Sequence, residues 1–280
     1  MPEVEGGESS DDVYPFHGVD GENNPIGPCD AFWKRVLTKK IRKDVDDDEN
    51  TKEGKLLWYH QGVEYWNHVD ATVDGVLGGF GSVSGADAKE NERILRTMMY
   101  PEGEFSEILE KRALDVGAGV GRVSSTFLTK FFRSVDLLEP VHHFIEKAKA
   151  TLKDKVQNYF EESLEEFSFE EDGKALAGYD VIWIQWCIGQ LSDADFIDLL
   201  KRAKVNADGF IVVKENNCSK GFHWDDQDSS ITRSDNYFRW IFEQAGMEVV
   251  NSKMSDVFPK ELFAVRTYVL KRSPPKKKSQ

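Results

Sequence analysis

Residues 113–122 constrain the fold of this chain more than any other part of the sequence. Apolar residues lead into Asp115, and glycines then follow at alternate positions, Gly117, Gly119 and Gly121. Glycine adopts positive φ and has no Cβ, so the chain can turn sharply at the end of a strand and bring backbone N–H groups close to a ligand. The segment therefore predicts a strand, a nucleotide-binding turn and a helix.

The spacing of the glycines separates two classes of nucleotide-binding fold. A dinucleotide fold has G-x-G-x-x-G, which would need glycine at the position of Arg122. Asp-x-Gly-x-Gly-x-Gly instead resembles the first motif of the S-adenosylmethionine (SAM) methyltransferases. The resemblance implies a Rossmann-like α/β fold.

Segments with the patterns of strands and helices alternate after the glycine turn, as in doubly wound α/β domains. Strands are predicted at residues 112–116, 134–138, 156–159, 180–185 and 209–213, with helices at 122–132, 144–152, 193–203 and 231–245. Two last apolar runs, 248–250 and 262–270, predict a hairpin. A terminal antiparallel hairpin on a seven-stranded, mostly parallel sheet is the arrangement that distinguishes SAM methyltransferases from dehydrogenases.

The chain is predicted to divide into three parts. Residues 1–54 are acidic and largely without regular structure; no period appears through Cys29, a short helix is expected at 32–42, and a charged linker follows. Residues 55–272 form the methyltransferase domain, in which helices at 56–69 and 86–98 and a glycine-rich loop at 72–81 precede the sheet. Residues 273–280 form a basic, disordered tail.

The composition of the chain limits the partners that we expect for it and the cell compartment in which we expect it. With 36 Lys and Arg against 50 Asp and Glu, the net charge is −14, which favours a cationic substrate over nucleic acid. Three separated cysteines, Cys29, Cys187 and Cys218, indicate neither a disulfide framework nor a zinc site. No stretch has the apolar core of a signal peptide or a membrane span. We expect a cytoplasmic protein; the lysines of the tail fit a solvated tail better than a weak nuclear signal, and a nuclear location stays open.

Polar side chains stand where nucleotide-binding folds hold their ligand. Glu139 ends the second predicted strand about 20 residues beyond the turn, the distance at which an acid reaches ribose hydroxyls in NAD as well as in SAM. Arg122 follows the last glycine and can pair with the methionine carboxylate. Gln185 lies at the carboxyl end of the fourth strand, and Leu164 and Glu165 are expected near the adenine.

Several longer motifs closely resemble the protein α-N-terminal methyltransferases. They are residues 179–186 (Tyr-Asp-Val-Ile-Trp-Ile-Gln-Trp), 188–193, 65–66, 72–81, 213–216 (Val-Lys-Glu-Asn) and 225–230 (Asp-Asp-Gln-Asp-Ser-Ser), with Arg233. The similarity extends over residues 56–271. It implies an enzyme that uses SAM, releases S-adenosylhomocysteine, needs no metal and methylates the free α-amino group of proteins beginning Xaa-Pro-Lys, after removal of the initiator methionine.

The resemblance assigns the cofactor site by position, to Gly117, Arg122, Glu139, Pro140, Val141, Leu164, Glu165 and Gln185. The family usually has aspartate at 139 and glutamine at 165. Glutamate at 139 preserves the ribose contact with a longer arm, whereas Glu165 leaves that side-chain contact open. The family commonly has histidine at 190, and this chain has Gln190, which cannot titrate.

The same resemblance assigns the substrate site. Asp228 is predicted to take the proton of the α-ammonium group, and Asn216 to hold a substrate carbonyl. Trp66 and Trp186 would confine the proline ring, and Asp225 and Ser230, with Asp226 nearby, would face the lysine. Further lining residues are Tyr65, Leu77, Val83, Gln190, Leu262 and Phe263. The three acids also fit the start of the predicted helix 231–245, where carboxylates are favourable in any protein.

Two other functions remain open at this point. The fold also serves methylation of a small amine or of a lysine side chain. Gln190 and Glu165 would also suit a catalytically weakened, methyltransferase-like binding protein. Partners are expected to be the N-terminal segments of basic proteins, with no nucleic acid and no membrane, and the protein is expected to be a monomer.

Overall fold

A computed structural model describes residues 16–38, 50–99, 109–171, 173–259 and 261–274. The strands are β1 (His17–Val19), β2 (Pro25–Pro28), β3 (Leu109–Val116), β4 (Phe132–Leu138), β5 (Asn158–Phe160), β6 (Glu170–Glu171), β7 (Lys174–Ala175), β8 (Tyr179–Gln185), β9 (Val205–Asn217), β10 (Phe222–Asp225), β11 (Ser230–Arg233), β12 (Met247–Met254) and β13 (Ala264–Arg272). The α-helices are α1 (Cys29–Leu37), α2 (Asn50–Asn67), α3 (Val73–Val76), α4 (Ser84–Met99), α5 (Thr129–Phe131), α6 (His142–Leu152), α7 (Asp193–Arg202) and α8 (Asp235–Gln244). No helix among the described residues is both long and apolar enough to cross a membrane.

The central sheet has seven strands in the order β12-β13-β9-β8-β3-β4-β5. The pairs from β9 to β5 are parallel, whereas β13 runs antiparallel to both β9 and β12. The predicted fold class, with its closing hairpin, is therefore confirmed. Because the parallel strands β3, β4, β8 and β9 all end at the same edge, the residues that follow them meet there.

Both faces of the sheet are covered. Six of the seven residues of β8 are buried, as expected for a parallel strand between two layers of helices. One apolar cluster includes Ile182 and Ile184 with α7 and α8, and the other includes Val181 and Trp183 with Phe127 and α6. Alternate residues of the same strand thus enter opposite layers.

The prediction of a helix over residues 231–245 is wrong at its start. Residues 230–233 form strand β11, paired with β10, and the helix begins only at Asp235. The reason is a period of two: Ile231 and Arg233 are buried while their neighbours are half-buried. Asp225, Asp226 and Asp228 therefore lie at a hairpin turn and not at a helix N-terminus.

The prediction that the chain lacks regular structure through Cys29 is wrong for residues 16–29. Strands β1 and β2 occupy this segment, and α1 begins at Cys29, earlier than the predicted start at residue 32, and ends at Leu37. Residues 50–53, expected in a linker, belong to α2. Together β11, β10, β1 and β2 form a second sheet of four strands. Residues 1–15, 39–49 and 275–280 lie outside the described part of the chain.

Candidate active site

The glycine turn follows β3 and is held from both sides. The N–H groups of Gly117 and Ala118 donate to the carbonyl of Leu138 at 2.8 and 3.1 Å, which ties the turn to the end of β4. The carboxylate of Asp115 accepts from the N–H and hydroxyl of Ser124 at 3.0 and 2.7 Å. Burial raises the pKa of Asp115 to about 6. The turn is thus fixed to two strands and to the helical segment after it.

The glycines in this turn are required by its backbone. Gly117, Gly119 and Gly121 have φ of 63°, 54° and 74°, the left-handed region that glycine adopts without strain. A Cβ on Gly117 would lie 2.3 Å from Cβ of Cys187. The helical segment that follows, residues 122–131, contains a π-helical stretch at Ser124–Leu128. Such stretches occur frequently at functional sites.

A cleft that encloses about 950 Å³, including the open solvent at its mouth, lies beside the turn at the edge where the parallel strands end. The structure brings all eight residues of the predicted cofactor site to its wall: Gly117, Arg122, Glu139, Pro140, Val141, Leu164, Glu165 and Gln185.

Glu139 supplies a buried carboxylate to this cleft. Its two oxygens accept from the N–H groups of Gly119 and Val141 at 2.7 and 2.8 Å. Burial raises the pKa of Glu139 to about 7, although both of these hydrogen bonds favour the charged form. Each carboxylate oxygen can accept a second hydrogen bond, so the group suits a ligand that presents two neighbouring hydroxyls, as a ribose does.

Arg122 is held in the wall by Asp87 of α4. One guanidinium nitrogen lies 2.6 Å from the Asp87 carboxylate, and the group stands 5.2 Å from the ring centre of Trp186. A guanidinium has five N–H donors, so this pairing leaves donors for a ligand carboxylate in the cleft. The predicted position of Arg122 at the amino-acid end of the cofactor is compatible with this geometry.

Asp87 also joins two other groups that sequence analysis did not connect. Nζ of Lys214 lies 2.7 Å from Asp87 and 2.9 Å from Glu90, with all three side chains buried. The amide of Gln185 donates to Asp87 at 2.9 Å and accepts from Asn91 and Trp183 at 3.0 and 2.9 Å. Burial opposes a charge on Asp87, but Lys214 and Arg122 hold its pKa below the ordinary value. The negative charges of Asp87 and Glu90 are thus neutralised by the positive charges of Arg122 and Lys214.

Leu164 and Glu165 line the part of the cleft beyond β5. The guanidinium of Arg202 donates to their carbonyl oxygens at 2.6 and 2.9 Å and fixes this segment of backbone. Burial raises the pKa of Glu165. A carboxylate at this point can accept a hydrogen bond from an amino group such as that of adenine.

The cleft is also lined by four of the predicted substrate residues, Trp66, Leu77, Trp186 and Gln190. Trp186 has a φ of 55°, a left-handed conformation that is rare for a bulky residue and turns the chain at the end of β8. Its indole packs at 77° against Phe258, with the ring centres 5.5 Å apart. Strained backbone of this kind is often found at ligand sites.

Helix α2, which bears Trp66, is anchored to the segment around Gln190. The indole N–H of Trp58 donates to the carbonyl of Gln190 at 2.6 Å. The hydroxyl of Tyr59 donates to Asp195 at 2.5 Å and accepts from the N–H of Ser192 at 3.1 Å. These hydrogen bonds fix helix α2, and with it Trp66, to the start of α7.

Asp228 reaches the cleft through Gln190. The side-chain amide of Gln190 donates to Oδ2 of Asp228 at 3.4 Å, and Oδ1 is buried with no hydrogen-bond partner among the described residues. Burial raises the pKa of Asp228 to about 6; the Ser230 hydroxyl offsets part of the rise, and the charge of Asp225 adds to it. Such a carboxyl group is ready to exchange a proton near neutral pH.

The remaining predicted substrate residues divide into two groups. Tyr65 packs against Trp66 at 5.2 Å, and the charges of Asp228 and Asp225 add to the effect of burial in raising its pKa. Asp225 and Ser230 face each other across the hairpin as paired residues. The other group comprises Asn216 on β9, Val83, and Leu262 and Phe263, of which the last two line a second groove. None of the residues in either group is among those that line the cleft.

Sequence analysis missed the residues that support the site from behind. Asp87 and Glu90 are buried acids on α4, and Lys214 belongs to a quoted motif without a role. One signal was available for Asp195, because Ser-x-x-Asp at 192–195 is a helix-start pattern, and the Ser192 hydroxyl does accept from the N–H of Asp195. The partners of Asp87 could not be found this way, because they lie far apart along the chain.

The sheet order, the closing hairpin and the glycine turn beside a cleft with a buried acid define a SAM-dependent methyltransferase. Residues 54–271 match the family described as AdoMet dependent proline di-methyltransferase. Because this match covers more than half of the chain, the protein belongs to that family.

Individual relatives agree with this assignment. The chain is 40% identical over 273 residues to alpha N-terminal protein methyltransferase 1 of Arabidopsis thaliana, covering 93% of this chain and 92% of the relative. It is 36% identical to N-terminal Xaa-Pro-Lys N-methyltransferase 1 of Xenopus tropicalis, over 78% of this chain and 97% of the relative. A solved SAM-dependent methyltransferase of Leishmania major superposes with a TM-score of 0.77 at 33% identity, covering 95% of this chain and all of that one.

Proposed function

We propose that this chain transfers a methyl group from SAM to the free α-amino group of proteins that begin Xaa-Pro-Lys. The proposal is carried by the environment of Asp228, whose carboxyl group is largely removed from solvent and accepts a hydrogen bond from Gln190 of the cleft wall. Family membership supports SAM as the donor, and the names of the relatives support an N-terminal substrate.

The chemistry requires a deprotonated amine. An α-amino group has a pKa near ~7.7–8.0, so about half or more of it is an ammonium ion at neutral pH. The Asp228 carboxylate attracts the ammonium and takes one proton, directly or through water. The freed lone pair of the nitrogen forms the N–C bond as the S–C bond breaks. The electron pair of the S–C bond stays on the sulfur of the product, S-adenosylhomocysteine. When bound, SAM supplies an electrophilic methyl group on its sulfonium.

The cofactor half of the cleft has groups for each part of SAM. In our proposal Glu139 accepts from the ribose hydroxyls, Arg122 pairs with the methionine carboxylate and Glu165 lies near the adenine. Pro140, Val141 and Leu164 pack on its apolar surfaces. These six residues line the cleft together with Gly117 and Gln185, which supports the assignment.

The substrate half separates recognition of the proline from recognition of the lysine. Trp66 and Trp186 offer indole faces on which the proline ring can pack. Asp225, exposed at the tip of the hairpin, and Ser230 opposite it offer oxygens for the lysine ammonium. We propose that Tyr65 and Leu77 complete the wall.

Three further assignments remain predictions. A peptide that extends past the cleft could reach the other predicted substrate residues. In that case Asn216 would hold a substrate carbonyl, and Val83, Leu262 and Phe263 would line the path of the peptide. A monomeric state is testable by sedimentation of the purified chain. A cytoplasmic location, with some protein in the nucleus, is testable by imaging the tagged full-length chain.

A labelling experiment tests the function. The protein is incubated with methyl-labelled SAM and a peptide beginning Ser-Pro-Lys, or with the same peptide acetylated at its N-terminus. We expect label on the free-amine peptide alone. Label on both peptides would assign the lysine side chain as acceptor, and SAM binding without label on either would indicate a binding protein; both results would reject the proposal.

A further inference from the structure

The acidic turn of the substrate site does not belong to the central sheet. It joins β10 and β11, which form a hairpin in the separate four-stranded sheet β11-β10-β1-β2. The inner strand β10 receives its second partner from the N-terminal strand β1, in parallel register, with Gly18 opposite Phe222 and Val19 opposite His223. An isolated two-stranded hairpin is marginally stable in water. The position of Asp228 therefore depends on a strand at the start of the chain.

Aromatic packing fixes this N-terminal segment to the hairpin. Phe222, fully buried, lies 5.1 Å from Phe32 of α1 and 6.2 Å from Tyr237, measured between ring centres. Phe16 stacks on Tyr237 at 4.1 Å with an interplanar angle of 8°. Trp224, next to Asp225, lies 5.6 Å from Phe32. The segment thus holds the hairpin from its edge and from its face.

The same segment also contacts helix α2, which bears Trp66 of the cleft. Trp33 and Phe32 of α1 pack edge-on against Trp58 of α2, at 5.3 and 6.0 Å. Trp58 in turn donates to the carbonyl of Gln190, whose side chain contacts Asp228. Helix α1 therefore lies between the two elements that meet at the proposed base.

The fit between β1 and the hairpin leaves no room for added atoms. A Cβ on Gly18 would lie 2.3 Å from the ring of Phe222. A Cβ on Gly221, which has a φ of 58°, would lie 1.8 Å from the carbonyl oxygen of His17. The segment precedes residues 54–271, the part of the chain that matches the family.

We propose that residues 16–37 are a positioning element for the substrate half of the site. By pairing with β10 and packing on α2, they hold the Asp225–Ser230 turn against Gln190 and set the orientation of Asp228 toward the incoming amine. The predicted cofactor residues lie at the carboxyl ends of β3, β4, β5 and β8 of the central sheet, so the affinity for SAM should be independent of this positioning element. The inference rests on the proposed function for the role of Asp228 and for the identity of the peptide.

The test uses the full chain with Gly18→Ala, which forces Phe222 and the hairpin to move. We expect at least a tenfold fall in kcat/KM for the Ser-Pro-Lys peptide, with a higher KM because the Asp225–Ser230 turn moves and a lower kcat because Asp228 moves, and with the Kd for SAM changed less than twofold. Hydrogen exchange should become faster at the amides of residues 222–233. The matched control is Gly21→Ala, in the turn between β1 and β2, where an added Cβ has no atom within 4 Å; it should behave as the parent chain.

A second variant distinguishes displacement of the hairpin from general misfolding of the chain. In Gly18→Ala combined with Phe222→Leu, the smaller side chain makes room for the new methyl group, so KM should return part of the way. Unchanged exchange at 222–233 and unchanged KM in Gly18→Ala would overturn the proposal, as would an equal loss of SAM affinity. A parent chain that fails to methylate the peptide would reject the proposed function instead, and exchange at the hairpin would still decide whether the positioning element exists.

Discussion

Replacing Asp228 by asparagine should strongly reduce catalysis and at the same time stabilise the free protein. The pKa of this carboxyl group is raised from 3.8 to about 6 because the fold desolvates it. A shift of one unit corresponds to about 1.4 kcal/mol, so a fully ionised Asp228 destabilises the fold by up to about 3 kcal/mol. Part of the group remains in contact with solvent, and we therefore expect a gain of ~1–3 kcal/mol for the variant.

The direction of the pH dependence follows from the same shift. Between the unfolded value of 3.8 and the native value of about 6, the native state binds more protons than the unfolded state. Stability from this group is therefore fully present at low pH and is lost as the pH rises through about 6. The advantage of Asp228→Asn should be largest at pH 8 and should shrink to a small fraction near pH 4.

Urea unfolding of both proteins from pH 4 to pH 8 measures this difference, and labelling of the Ser-Pro-Lys peptide measures activity, which should fall by roughly 10²–10⁴. Asp208→Asn, which changes an exposed acid near the start of β9 and outside the proposed site, is the control and should change neither quantity. A stability difference that does not vary with pH would show that Asp228 is not desolvated. Full activity of Asp228→Asn would refute its role as the base.

Three further predictions concern the cofactor half and its support. Because the pKa of Glu139 is about 7, SAM affinity measured by calorimetry should weaken below pH 7 in the parent chain but stay level in Glu139→Gln; a level profile in the parent would contradict the ribose contact. Asp87→Asn leaves the buried Lys214 without its closest acid and should lower the free energy of unfolding by about 3–5 kcal/mol; a loss below about 1 kcal/mol in urea titrations would contradict this. Gly117→Ala places a methyl group 2.3 Å from Cβ of Cys187 at a φ of 63°, so SAM binding should be lost and the Tm should fall; unchanged binding would show that the turn can adapt.

The parts of the fold that sequence analysis predicted are those with local signals. The strand–helix alternation, the turn at Gly117 and the place of Glu139 at the end of β4 all follow from periodicity and spacing within short stretches. The predicted cofactor residues line one cleft for a related reason, because the carboxyl ends of parallel strands meet at one edge of the sheet.

The parts that sequence analysis missed depend on distant partners. Strands β1 and β2 have three and four residues, too few to show a period, and they are stabilised by β10 and by aromatic rings near residue 237. Residues 230–245 look like one helix because the strand β11 and the helix α8 are both amphipathic and adjoin each other at Ser234. The pairing of Asp87 with Lys214 links a helix to a strand more than one hundred residues later, which no local pattern reveals.

The parallel pairing of β1 with β10 also has a consequence for synthesis of the protein. Gly18 leaves the ribosome long before Phe222, its partner in the sheet. At ordinary elongation rates, the interval for about two hundred residues is roughly 10–40 s. Throughout that time the aromatic rings around β1 have no hairpin to cover them, so nascent chains should recruit a chaperone to this end, and peptide-binding competence should be the last property to mature.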